Sequence, residues 1–198
     1  MITVGIMLLL LTASMACLST QTATAKSKAL KAYSEFLAEN ENLYGSFSVI
    51  YLDKNSVPEL FVGERTFNAV YLFTYSGGDV KKVGGTGKIA SHYYKKKNVL
   101  ITGWRYSAGP SGESATAYYR MKDGEIKLAL ADVKITSYKN GALENTGEYR
   151  TYQENGMDYS TVNKKAFSSA LKKLVGNKKK TKIKYYENKA AKRKKYLK

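Results

Sequence analysis

The chain has 198 residues, with 33 Lys or Arg against 16 Asp or Glu, a formal charge of +17, one His and one Cys. With so few thiols and imidazoles, a zinc centre, a disulfide framework and Cys–His catalysis lack the residues they need. The length suits one domain with a sizeable core.

Residues 1–25 carry no charged side chain, Val4 to Leu11 form a short apolar run, and Ala23-Thr24-Ala25 has the small-x-small pattern of a signal-peptidase site. This reads as a signal peptide cleaved after Ala25. The alternative is a lipoprotein signal with Cys17 as the lipidated residue, preceded by Ser14-Met15-Ala16. Both readings carry the protein out of the cytoplasm, secreted or held at the cell envelope. The apolar run is short for a transmembrane span, which needs about 20 residues. A helix is predicted from Lys26 to Gly45, because Leu30, Tyr33 and Leu37 recur at helical spacing beside Ala29, Ala32 and Phe36. Glu35, Glu39 and Glu41 fall on its solvent side, and Gly45 is the expected stop.

Next come two strand-like runs, Ser46 to Leu52 and Glu59 to Val62, joined by Asp53, Asn55, Ser56 and Pro58. Asp and Asn can bond their own backbone and Pro has a fixed φ, so this is turn chemistry within a hairpin. The stretch Tyr51 to Val62 (YLDKNSVPELFV) also resembles an uncharacterised family of secreted and lipoprotein-type proteins of Gram-positive anaerobes. Their DxDGDGxPEL loop is similar to the blade-opening loop of FG-GAP/VCBS repeats. Asp53, Asn55, Val57, Pro58, Glu59 and Leu60 match it, whereas Tyr51 and Ser56 stand where the family has a carboxylate and a Gly. The resemblance implies a degenerate calcium-type site on Asp53, Asn55 and Glu59, against a plain structural turn, and it carries over no activity. Calcium takes six to eight oxygens, more than these side chains supply. A single copy of the loop argues against a propeller, which needs repeated blades.

Short strands follow at Ala69 to Tyr75, Val80 to Val83, Ile89 to Tyr94, Val99 to Tyr106, Ala115 to Met121, Glu125 to Leu130, Val133 to Tyr138 and Glu148 to Gln153. Most are closed by Gly or Asn-Gly, which predicts an antiparallel meander of about seven to nine strands. Ser107 to Ser114 reads as the longest flexible loop. Gly84 to Gly87 reads as a turn, since Gly87-Lys88 is followed by Ile89 and not by the Ser or Thr of a phosphate loop. His92 lies in a strand, with no Gly-x-Ser-x-Gly elbow in the chain to make it a catalytic base. Trp104, Tyr106, Tyr118 and Tyr119 fall on neighbouring strands. They form either a stacking platform for a carbohydrate or peptide ligand or ordinary cross-strand packing.

Charge is concentrated at the carboxyl end. Residues 164–198 hold 15 Lys or Arg and one acid, Glu187. Asn163 caps a predicted helix whose apolar stripe is Phe167, Ala170, Leu171, Leu174 and Val175, with Gly176 as its stop. Beyond it lies a basic tail, with Tyr185 and Tyr186 as an anchor and Asn188 as the cap of a last short helix. Its Lys178, Lys179, Lys180, Lys182, Lys184, Lys192, Arg193, Lys194 and Lys195 are the candidate polyanion-binding residues. Lys is a mobile point charge where Arg gives bidentate geometry, so the tail suits diffuse attraction to anionic wall polymers or lipids, without specific nucleic-acid readout.

The resulting expectation is an α+β protein: signal peptide 1–25, one α+β domain at 26–176 and a basic tail at 177–198. Its function reads as non-catalytic binding at the cell envelope, with no cofactor. The alternative is a hydrolase of envelope polymers using paired carboxylates from Asp53, Glu59, Glu113, Asp123 and Asp132, which glycoside chemistry would require.

Overall fold

The computed structural model describes residues 23–198 except 67, 68, 87, 110, 123 and 141. Cys17 and most of the signal-peptide reading lie outside the described residues, as does Asp123. Ala25 lies in helix α1, described over residues 23–39. Strands β1 (Tyr44–Ile50), β2 (Glu59–Glu64), β3 (Val70–Ser76), β4 (Asp79–Thr86) and β5 (Ala90–Tyr94) follow. Then come β6 (Val99–Ala108), β7 (Ser111–Lys122), β8 (Glu125–Lys139), β9 (Ala142–Tyr152) and β10 (Tyr159–Val162). Helix α2 (Lys164–Val175), β11 (Thr181–Lys182), β12 (Tyr186–Glu187) and α3 (Ala190–Tyr196) complete the chain.

The strands form two antiparallel sheets, β12-β1-β2-β3-β4 and β10-β9-β8-β7-β6-β5-β11. Within each sheet consecutive strands are neighbours, as a meander requires, and the last two strands of the chain add one edge to each. Three apolar clusters stack the layers. Ala29, Leu30, Tyr33 and Leu37 of α1, joined by Leu197, pack on Phe47, Leu60, Val62 and Phe73 of the first sheet. Phe61 and Leu72, from the same sheet's other face, meet Ala90, Tyr93 and Leu100 of the second sheet. Tyr94, Val99 and Ile101, on the second sheet's far face, receive Val175, Leu171 and Leu174 of α2. The order is helix, sheet, sheet, helix. Alternation explains β2: Leu60 and Val62 point to α1 and Phe61 to the second sheet, so the strand is apolar on both faces.

The helices start and stop for local reasons. Asn163 accepts the Ala166 N–H at 2.9 Å at the start of α2, and Gly176 closes it with φ +64°, its N–H donating to Lys172 O at 2.7 Å. α1 ends earlier than predicted. Asn40 Nδ2 donates to Phe36 O at 2.8 Å, the chain turns over 40–43, and Gly45 lies inside β1.

Other expectations are corrected by pairing. The described residues hold twelve strands in two sheets, more than the seven to nine foreseen. The stretches 125–130 and 133–138 are one strand, β8, because it pairs with β7 from Glu125 to Thr136, across one bulge beside Tyr118 and Tyr119, and with β9 from Leu130 to Lys139. Most of Ser107 to Ser114 is strand, since Ser107 pairs with Gly112 and Ala108 with Ser111. Gly84 and Gly85 lie inside the edge strand β4, not in a turn: a Cβ on Gly85 would stand 2.7 Å from the Tyr71 ring carbon across the ladder.

Candidate functional site

The loop between β1 and β2 uses its polar side chains on itself. Asp53 Oδ1 accepts the Asn55 N–H at 2.9 Å, and Asn55 Oδ1 accepts the Val57 N–H at 2.8 Å. Tyr33 of α1 donates its hydroxyl proton to Pro58 O at 2.8 Å. Glu59 is fully buried, accepts the Leu52 N–H on Oε2 at 2.7 Å and leaves Oε1 without a hydrogen-bond partner. Burial, with a smaller contribution from the nearby Asp53 charge, pushes its carboxyl up to about 8. A carboxyl sealed in the protein interior and two side chains committed to backbone N–H groups are a poor calcium set. Among the described residues no group of three or more Asp, Glu, His or Cys is placed to hold a metal ion. The calcium expectation for Asp53, Asn55 and Glu59 is therefore corrected to a structural turn.

The aromatic quartet is divided between faces. Tyr118 lies under α2, its ring 6.1 Å from Phe167, whereas its neighbour Tyr119 packs into the core between the sheets. Both are packing residues, and the four-ring platform is corrected on that ground. Trp104 stays half-buried and Tyr106 exposed, both on β6. A polar cluster missing from the sequence reading occupies the same face as Trp104. Arg150 of β9, almost buried, pairs with Glu148 and brings Nη1 to 2.7 Å from Glu113 of β7, under the Tyr159 ring at 4.5 Å. Its partner in β8 is Ala131, which pairs in turn with Ala117 of β7, so small side chains leave the trough the guanidinium lies in. Strand alternation places Arg150 and Glu148 on one face, a signal that was readable; the reach across to Glu113 was not.

His92 is half-buried in β5, its Nδ1 3.0 Å from the Ser91 hydroxyl oxygen. A hollow of about 390 Å³ lies among Arg120, Lys122, Glu125, Lys127, Tyr152 and Glu154. Its charges are largely spent on Lys122–Glu154 and Lys127–Glu125 pairs, each at 2.7 Å.

The carboxyl-terminal lysines are different. Lys178, Lys179, Lys180, Lys182, Lys184, Lys192, Lys194 and Lys195 are exposed, and among the described residues none forms an ion pair. Arg193 departs from this set. It is buried, with Nη1 donating to Glu41 Oε2 at 2.9 Å and Asn188 Oδ1 at 2.8 Å, so its charge belongs to the fold and its place among the polyanion-binding residues is corrected. Asn188 does not cap α3. Its Nδ2 donates to Leu37 O at 2.9 Å and Tyr44 O at 3.0 Å, tying the segment to α1 and β1.

The lysine segment is therefore no loose tail. Thr181 pairs with Tyr93 and Lys182 with His92, while Tyr186 pairs with Phe47 and Glu187 with Ser46. Between these strands Ile183 enters the core between the sheets, and the Tyr185 hydroxyl donates to Ala90 O at 3.0 Å. The array can hold cations outward from a fixed backbone.

No family model and no curated protein matches the chain. A solved structure described as that of a Xanthomonas Type IV Secretion System related protein aligns with a TM-score of 0.38 and 10% identity. The alignment covers 59% of this chain and 57% of that one, a likeness too weak to argue from. Among the described residues no helix is long and apolar enough to cross a membrane.

Proposed function

We propose that this is an exported, non-catalytic protein of the cell envelope that holds anionic wall polymers or lipids through its lysine-rich carboxyl-terminal segment. Export rests on the leader-like residues 1–25, with lipid anchoring through Cys17 as the alternative form of attachment. The observation that carries the binding reading is the row of exposed, unpaired lysines on a backbone hydrogen-bonded into both sheets. Fixed cations attract a polyanion at long range, and salt weakens that attraction over a distance of about 8 Å at physiological strength. Trp104 and Tyr106 remain available to a carbohydrate or peptide ligand.

The hydrolase reading draws less support. Glu59 is sealed from water, and Glu113 and Glu148 are both engaged by Arg150. The test is retention on immobilised poly(glycerol phosphate) and on phosphatidylglycerol vesicles, comparing the native chain with a Lys178→Gln, Lys179→Gln, Lys180→Gln variant. The native chain should be retained at low salt and released as salt rises, with the variant released earlier. Identical release, or indifference to salt, would remove the lysine segment from the function.

A further inference from the structure

The β5–β6 turn brings a second group of lysines to the first. Lys95, Lys96 and Lys97 form that turn, and Lys97 Nζ lies 3.5 Å from where a Cβ on Gly176 would stand, at the end of α2. Lys172 and Lys173 are in the last turn of α2, and Lys178 to Lys180 leave it. On the turn's other side, Lys95 Nζ and Lys26 Nζ lie 5.6 and 5.9 Å from the centre of the Tyr51 ring. Among the described residues none of these lysines forms an ion pair.

The turn is also held still. The Lys96 N–H donates to Tyr51 O at 3.0 Å and the Asn98 N–H to Leu52 O at 2.8 Å. Its backbone is left-handed at Lys96 (φ +61°) and Asn98 (φ +58°). Asn tolerates that conformation, but Lys adopts it against steric resistance that Gly would not meet. Lys97 is accounted for by the negative end of α2. Lys96 has no such structural use: its backbone works against its residue type, and its side chain is exposed.

We propose that the polyanion is gripped at a composite surface, in which Lys95 and Lys96 of the β5–β6 turn act together with Lys172, Lys173 and Lys178 to Lys180 around the end of α2. This rests on the binding reading above and extends it to residues outside the carboxyl-terminal segment. The favoured ligand is a flexible phosphodiester polymer, more than a lipid surface. Among the described residues the exposed bulky apolar side chains, including Leu43, Ile89 and Met157, belong to other segments, so these lysines bring no apolar side chain of their own to insert between acyl chains. Mobile Lys charges also suit a chain of irregular conformation.

Lys96→Gly separates fold from binding. Thermal stability should stay level or rise, because Gly relaxes the turn. Affinity for poly(glycerol phosphate) should fall a few-fold, and the plot of log affinity against log salt should flatten with each lysine removed, on the order of the 0.7 per contact seen with single nucleic-acid strands. Lys95→Gln combined with Lys96→Gly should deepen both effects. If these variants bind like the native chain while the Lys178–Lys180 variant weakens, the composite surface is wrong and the binding reading stands. If all variants bind like the native chain, both fall. Tighter binding to phosphatidylglycerol vesicles or to duplex DNA than to the polymer would overturn the choice of ligand.

Discussion

Glu59 is a carboxyl group enclosed by protein on every side. Around it stand Tyr33 from α1, Asp53 from its own loop and Tyr93 from β5, and the Leu52 N–H donates to its Oε2. Burial raises its pKa to about 8 from the ordinary 4.5. Between those values the folded protein keeps a proton that the unfolded chain releases, so stability falls as pH rises through the window and is lowest above 8. The loss is on the order of a few kcal/mol between pH 5 and 9. Glu59→Gln keeps an acceptor for Leu52 and cannot ionise. Its melting temperature should stay flat across this range where the native curve declines. Parallel curves for the two proteins would show that another group titrates. Buried Asn188 acts comparably without charge, since its amide reaches carbonyls of α1 and β1 while its oxygen holds Arg193.

At the level of elements, the carboxyl-terminal segment is where the proposed binding surface and the fold share residues. Its two short strands close an edge of each sheet, Ile183 and Leu197 enter two different cores, and Arg193 reaches Glu41. Exposed sheet edges invite association with other chains. Deleting residues 181–198 should therefore yield an aggregating or unfolded product, detected by loss of a cooperative melt and of a single species in size-exclusion chromatography. The Lys178–Lys180 variant should melt within a few degrees of the native chain, because those side chains are solvated. A deletion variant that folded normally would make the segment an appendage after all. Truncation thus cannot report on binding here, whereas substitution can.

Over the whole molecule, the charge of +17 is concentrated at the carboxyl end, where residues 164–198 hold 15 Lys or Arg against one acid. Like charges crowded on a fixed backbone repel one another in the folded state, and salt screens this repulsion. Raising salt from low to physiological strength should raise the melting temperature while weakening polymer binding, two responses of opposite sign to one variable. At low salt, poly(glycerol phosphate) should itself raise the melting temperature by binding the folded form, and added salt should erase that rise. A melting temperature indifferent to both would mean that the lysines are too far apart to feel one another.

Helical periodicity alone placed α1 through Leu30, Tyr33 and Leu37 and α2 through Phe167 to Val175, and composition alone located the cap at Asn163, the stop at Gly176 and the crowding of lysine at the carboxyl end. Each of these depends on interactions within a turn or two of chain, which residue spacing records. Tertiary structure decided the rest: the split into two sheets, the opposite faces taken by Tyr118 and Tyr119, the burial of Glu59 and Arg193, and the return of residues 181–187 to both sheet edges. Those outcomes rest on partners far away in sequence, such as Phe47 for Tyr186 and Glu41 for Arg193. A two-residue strand has too little pattern of its own to announce its partner, and a lysine's spacing does not say which other lysines will stand beside it.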